Sequence, residues 1–202
     1  MNLADKFTLL RIILAPAFFL VYFLPGFLQG VLPAHYTGAA AWTVAPLWII
    51  AVIAEFTDMF DGMAARRLKQ SSDFGRFFDP FADTIMQTTA FLCFVIDGIL
   101  PALLFLVVLY REFGILLIRN LMLKKGITMG ARMGGKIKTV AYVTAAAIAL
   151  FYASLKRLGA FESAQPAVKI AAIAVFAVSV LLSVVSFFDY LSVYRASAKT
   201  GE

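Results

Sequence analysis

The sequence is poor in the residues that staple or ligate a small soluble protein. It has one cysteine and one histidine in 202 residues. Cys93 alone closes no intrachain disulfide, and with His35 as the lone imidazole there is no Cys/His set for zinc. Cys93 lies in an apolar run and reads as a buried structural thiol, whereas His35 is expected in a solvated outer loop. Charge is scarce too: 15% of residues are charged against 62% hydrophobic, with twenty Phe. Together with a mean hydropathy of +0.88, this excludes an ordinary soluble domain and makes the bilayer the solvent.

Six long apolar stretches are present, at 9–31, 39–60, 77–96, 99–123, 137–155 and 167–190. Each is near the length of about 20 residues that spans a bilayer as a helix. The first carries Arg11 and Pro16 and lacks a small-residue cleavage site, so it is expected to stay in the protein rather than act as a signal peptide. The expectation is an all-α integral membrane protein with one six-helix domain over 1–194 and a short, disordered polar tail over 195–202. If both termini are cytoplasmic, fifteen Lys and Arg lie inside and only Lys156, Arg157 and Lys169 outside. The positive-inside rule favours that topology. The net charge of +6 then forms an inner-face patch suited to anionic headgroups or phosphates, not to nucleic acid.

Against this background one stretch stands out. DMFDGMAARRLKQSSDFGRFFDPFAD, residues 58–83, holds five aspartates and four basic residues. Asp58, Asp61, Gly62 and Ala65 follow the i, i+3, i+4, i+7 pattern of one helical face, and Gly75, Asp79 and Asp83 are four apart on another. A short linker, LKQSS, lets the two faces oppose each other across a hairpin. Four carboxylates gathered there repel, and each costs about 2.5–3.5 kcal/mol at membrane depth. Oxygen-only ligands suit Mg2+, Mn2+ or Ca2+, and a pair of such ions clamps a diphosphate. Glycine at 62 and 75 leaves room for a substrate to approach the backbone.

The stretch reads D-x-x-D-G-x-x-A-R-x8-G-x3-D-x3-D, with Asp58, Asp61, Gly62, Ala65, Arg66, Gly75, Asp79 and Asp83 at its fixed positions. It resembles the signature of the CDP-alcohol phosphatidyltransferases. NLADKFTLLRIILAP, through Asn2, Thr8 and Arg11, is similar to that family's opening. Downstream, REFGILLIRNLMLKKG and GKIKT resemble its phosphatidylglycerophosphate-forming branch, through Arg111, Glu112, Arg119, Lys125, Gly126, Gly135, Lys136, Lys138 and Thr139.

The resemblance implies a six-helix homodimeric enzyme of a bacterial cytoplasmic membrane, with its active site on the cytoplasmic side. It would transfer the phosphatidyl group of CDP-diacylglycerol to an alcohol and release CMP. Asp58, Asp61, Asp79 and Asp83 would hold two Mg2+ or Mn2+ ions, with Asp83 also the general base. Gly62, Ala65, Arg66 and Gly75 would receive the CDP moiety. Independently, Arg111, Arg119, Lys136 and Lys138 are cations that a purely structural span would avoid, and they suit a phosphate on the acceptor. Glycerol 3-phosphate is the first choice of acceptor, with inositol phosphate, inositol, serine and choline as alternatives. Membrane lipid is the remaining partner.

Plainer readings apply to some residues. Asp73 with Arg76 reads as a local ion pair, Glu55 and Asp189 as interhelical hydrogen-bond partners, and Gly62, Ala64 and Ala65 also as a packing face. A secondary transporter with an acidic cation site is the main alternative of another class. It would show repeats and broken helices near the midplane. A prenyltransferase is a third, but its acidic motifs lie on distant helices.

Overall fold

The computed structural model describes residues 3–28, 40–68, 73–124 and 133–199, with side-chain environments for these apart from 3–5, 58–77, 124, 133 and 196–199. Among the described residues there are six α-helices: α1 (Leu3–Phe27), α2 (Val44–Leu68) led in by a 3-10 turn (Ala40–Thr43), α3 (Asp73–Ile96), α4 (Ala102–Lys124), α5 (Met133–Leu158) and α6 (Gln165–Lys199). The predicted all-α architecture is thus observed. Helices overrun several apolar stretches at their polar ends, running through glycines at 62, 75, 134 and 135. At 195–202 this is a correction: α6 continues through Arg195 to Lys199, since the flank RASAK contains only helix-tolerant residues and the first breaker is Gly201. His35 lies outside the described residues.

Among the described residues four helices are long and apolar enough to cross a membrane, over Lys6–Phe27, Ala40–Thr57, Gly134–Leu158 and Gln165–Arg195. α3 and α4, with 24 and 23 residues, are also long enough. Their apolarity is interrupted by Asp79 and Asp83 in one and by Arg111, Glu112 and Arg119 in the other. The outer surface is apolar, with Leu103, Val185, Ile170 and Val140 each about two-thirds exposed or more. Such a surface fits lipid, not water.

Each helix shows how its face is chosen. On α1, Thr8, Arg11, Ala15, Phe18 and Tyr22 recur at intervals of three and four and are all buried, so one face meets α2 and α3. On α5 the buried stripe is Tyr142, Ala145, Ala149 and Ala153. Its alanines let α6 close in, since small side chains bring backbones together where lipid supplies no hydrophobic drive. Phe91 of α3 fills the centre, 4.8 Å from the Phe176 ring and edge-on to Tyr142 at 5.4 Å. Pairs of this kind contribute about 0.5–1.5 kcal/mol beyond their burial. Cys93 is fully buried beside them, as expected.

Two features set the position of the site. α3 ends in a left-handed glycine, Gly98 at φ 69°, and Ile99 and Leu100 both donate to the Phe94 carbonyl. That cap turns the chain sharply into α4. Farther along α4, a methyl group on Gly114 would stand 2.9 Å from the Phe187 ring. The absent side chain lets α6 lie close to α4, which brings Ser183, Ser186 and Tyr190 beside the α4 cations.

Candidate active site

Asp79 and Asp83 are one helical turn apart on α3. Two groups of α1, themselves three residues apart, reach them: the Thr8 hydroxyl donates to Asp79 and the Arg11 guanidinium to Asp83. Thr8 and Arg11 are buried, whereas the Asp83 side chain is 37% exposed. Asp83 is therefore anchored from behind and open in front.

In front of it lies a cavity of about 210 Å3 walled by α3, α4, α5 and α6. Asp83, Arg111, Glu112, Arg119, Lys136, Lys138 and Tyr190 all line it. The proposed base and the four expected phosphate-binding cations are thus brought to one chamber. They differ in how they are held. Arg111 donates through Nη1 to Glu112 at 2.8 Å, through Nε to the Ser183 carbonyl at 3.1 Å and through Nη2 to the Ser186 hydroxyl at 3.3 Å. Lys138 donates to the same Glu112 oxygen at 3.0 Å and sits 4.7 Å above the Tyr142 ring centroid. The Tyr142 hydroxyl in turn donates to Ser183 at 2.7 Å. Arg119 makes one long hydrogen bond, to the Tyr190 hydroxyl at 3.4 Å, and its buried Nε has no partner among the described residues. Lys136 is exposed. Neither Arg119 nor Lys136 forms an ion pair among the described residues.

A second, apolar cleft of about 250 Å3 lies between α2, α3 and α5, with Trp48, Ala51, Phe56, Met86 and Ala146 in its walls. Gln87 borders both this cleft and the basic cavity. A small pocket lined by Asp83, Gln87, Thr139 and Glu55 lies between them. The polar chamber thus adjoins an apolar one. Glu55, expected as an interhelical partner, lines that junction and is exposed.

The side chains of Asp58, Asp61, Gly62, Ala65 and Arg66, and those of Asp73, Gly75 and Arg76, lie outside the described residues. The helical backbone of α2 is continuous from Val44 to Leu68, so the spacing of the first half of the motif is kept. Among the described residues no group of three acidic, histidine or cysteine side chains forms a metal site. The donor chemistry of the described pair nevertheless fits a hard divalent ion. Asp79 and Asp83 supply carboxylate oxygens only, Asp83 opens to the cavity, and the thiol of Cys93 is buried elsewhere in the core.

Thr8, Arg11, Glu112, Ser183, Ser186 and Tyr190 were not among the residues assigned to the site from sequence. Arg11 and Glu112 carried a signal, being charges within apolar helices. Ser183, Ser186 and Tyr190 carried none, because hydroxyl groups on α6 look like those of any membrane helix.

A family model described as CDP-alcohol phosphatidyltransferase matches residues 1–185. The chain belongs to the CDP-alcohol phosphatidyltransferase family. The matched span contains the whole aspartate motif, the buried α1 residues that anchor it and the lining of the basic cavity except Tyr190. Several relatives bear the name CDP-diacylglycerol--glycerol-3-phosphate 3-phosphatidyltransferase, three of them as follows. The one from Treponema pallidum is 38% identical over 198 residues, covering 96% of this chain and 89% of its own. The one from Bacillus subtilis is 32% identical over 206 residues, 98% of each chain. The one from Escherichia coli is 32% identical over 203 residues, 96% of each. As a CDP-alcohol phosphatidyltransferase the protein is a transferase, and the transporter and prenyltransferase readings fall away.

Proposed function

We propose that this CDP-alcohol phosphatidyltransferase transfers the phosphatidyl group of CDP-diacylglycerol to glycerol 3-phosphate, giving phosphatidylglycerophosphate and CMP. The observation that carries the reading is the single cavity shared by Asp83 and four cations on α4 and α5. A carboxylate beside a strongly basic chamber suits an alcohol that carries its own phosphate. Neutral inositol or zwitterionic serine would leave the net positive charge of the chamber, that of Arg119 and Lys136 above all, without a counter-charge. The names of the three relatives support the same acceptor.

In this reading Asp83 takes the proton of the acceptor hydroxyl, whose oxygen bonds to the lipid-side phosphorus as the phosphoanhydride bond to CMP breaks. Arg11 holds Asp83 in place for that transfer, and Thr8 does the same for Asp79. Asp58, Asp61, Asp79 and Asp83 would hold two Mg2+ or Mn2+ ions, which when bound neutralise the diphosphate and the departing CMP. Gly62, Ala65, Arg66 and Gly75 receive the cytidine side. The apolar cleft between α2, α3 and α5 accepts an acyl chain, because it meets the pockets that Asp83 lines at Gln87 and Glu55 and, among the described residues, offers no charge but Glu55.

All six helices span the bilayer with both termini cytoplasmic, a topology supported by the lopsided distribution of Lys and Arg. The active site then faces the cytoplasm, in a bacterial cytoplasmic membrane, and the working unit is a homodimer. An impermeant thiol reagent on sealed right-side-out cells should label Glu162→Cys and spare Thr200→Cys. The reverse pattern would overturn the topology. A mass measurement in mild detergent that gives only monomer would remove the dimer.

The deciding experiment is CMP release from CDP-diacylglycerol with glycerol phosphate, inositol phosphate, inositol, serine and choline offered in turn. Turnover with glycerol phosphate well above the rest is expected. Preference for any other acceptor would replace the assignment while leaving the family chemistry intact.

A further inference from the structure

The four cavity cations fall into two sets, and one residue divides them. Glu112 is 5% exposed, and one of its oxygens accepts from both Arg111 and Lys138. Arg111 is locked further: Nε, Nη1 and Nη2 each donate to a different protein oxygen, two of them on α6. Lys138 is held over the Tyr142 ring. Each keeps N–H donors to spare, but Glu112 already offsets part of their charge, and swinging either out to follow a phosphate would break a buried ion pair, which is strongly unfavourable. Arg119 and Lys136 face no such barrier. Neither is in an ion pair among the described residues, Lys136 is exposed, and Arg119 has a buried Nε that lacks a partner.

We propose that Glu112 is a positioning residue of the acceptor site: it withdraws Arg111 and Lys138 from phosphate binding, fixes them as a floor, and leaves Arg119 and Lys136 to take the acceptor's phosphate. The inference rests on the reading that the acceptor carries a phosphate. Two cations and one carboxylate give the floor a single net positive charge. Without the carboxylate the floor becomes an anion trap, and the phosphate sinks past Arg119 and Lys136. The acceptor hydroxyl then leaves the line to Asp83. A misplacement of about 1 Å is enough to cost roughly a hundredfold in rate. Glu112 therefore weakens anion binding at the floor and in doing so keeps the acceptor in a productive position.

The test is steady-state kinetics of the purified full-length enzyme, with CDP-diacylglycerol in mixed micelles, glycerol phosphate varied and inorganic phosphate as competitor. In Glu112→Gln, kcat should fall roughly a hundredfold, while the glycerol phosphate KM and the phosphate inhibition constant fall by about tenfold. Adding Lys138→Gln to that variant restores the single positive charge, and kcat should return to within about tenfold of wild type. Lys138→Gln alone should leave KM within about threefold, whereas Arg119→Ala should raise it about tenfold or more. A rise in KM for Glu112→Gln, or a rise for Lys138→Gln equal to that for Arg119→Ala, overturns the proposal. If Glu112→Gln does not fold, the comparison of Lys138→Gln with Arg119→Ala decides it. Wild-type enzyme that turns over only serine or inositol would instead overturn the acceptor assignment, which the acceptor panel reads separately.

Discussion

Arg11 of α1 donates to Asp83 of α3, from a position 2% exposed to a carboxylate that opens on the basic cavity. The two residues are 72 apart in sequence, and Thr8 repeats the arrangement at Asp79. The first helix is thus a clamp behind the acidic face of the third.

That clamp makes a prediction for Arg11. Arg11→Ala should lower kcat by roughly a hundredfold, because Asp83 loses the group that fixes its rotamer. The glycerol phosphate KM should change little, since Arg11 does not line the basic cavity. Arg11→Lys should recover part of the loss by restoring charge without the planar fork. Steady-state CMP release reads both numbers. A large KM effect with kcat intact would move Arg11 from the base to the acceptor.

The oxygen-only donor set predicts metal dependence. EDTA should abolish turnover, and Mg2+ or Mn2+ should restore it. Asp79→Ala, Asp58→Ala and Asp61→Ala should each lose activity and metal affinity together, with metal affinity followed by calorimetry in the absence of substrate. Full turnover in EDTA would remove the ions from the mechanism.

Much of this site was legible because its signals are local. Asp79 and Asp83 declare a shared face through their spacing alone, and Arg111 and Arg119 stand out against apolar neighbours. What joins them is not local. Thr8 and Arg11 reach their carboxylates only because α1 packs on α3, and Tyr190 meets Arg119 only because Gly114 lets α6 approach α4. The partition of the cations was hidden for the same reason. Four basic residues look alike along the chain, yet one carboxylate next to Arg111 engages two of them once α4 and α5 are packed. Helix ends lie beyond the apolar stretches, as at Leu68 and Lys199, because hydropathy marks the apolar run and not where backbone hydrogen bonding stops.

The apolar cleft yields a third prediction. Ala146 lies in its wall beside Val143 and Leu150, and Ala146→Phe would fill much of the space. The KM for CDP-diacylglycerol with long acyl chains should rise about tenfold, by analogy with the energy of a few buried methylenes. A short-chain CDP-lipid should be affected far less, and glycerol phosphate not at all. Equal loss for long and short chains would mean that the cleft does not hold the acyl chain.

The opposite end of the bundle allows a test of stability apart from chemistry. Arg157, at the end of α5, donates to the Thr43 hydroxyl of the 3-10 turn and, at 2.9 Å, to the Tyr22 carbonyl of α1. Its guanidinium also stacks 4.2 Å from the Tyr22 ring centroid. The Tyr22 hydroxyl donates to Asp97 at 2.9 Å, and Lys156 pairs with the same carboxylate at 3.1 Å. Two helices and a turn are tied here by one guanidinium, in a region remote from Asp83. Hydrogen bonds to a charged group are worth about 1.5–3 kcal/mol, and a cation over an aromatic face adds about 0.5–1 kcal/mol. Arg157→Ala should therefore cost about 2–3 kcal/mol, read as a lowered midpoint of thermal unfolding in detergent, while kcat and both KM values well below that midpoint stay at wild-type level. Arg157→Lys should recover little, because a point charge cannot serve Thr43, the Tyr22 carbonyl and the ring together. An unchanged midpoint would remove Arg157 from the stability of the bundle, and a loss of kcat in the folded variant would show that this end is coupled to the chemistry.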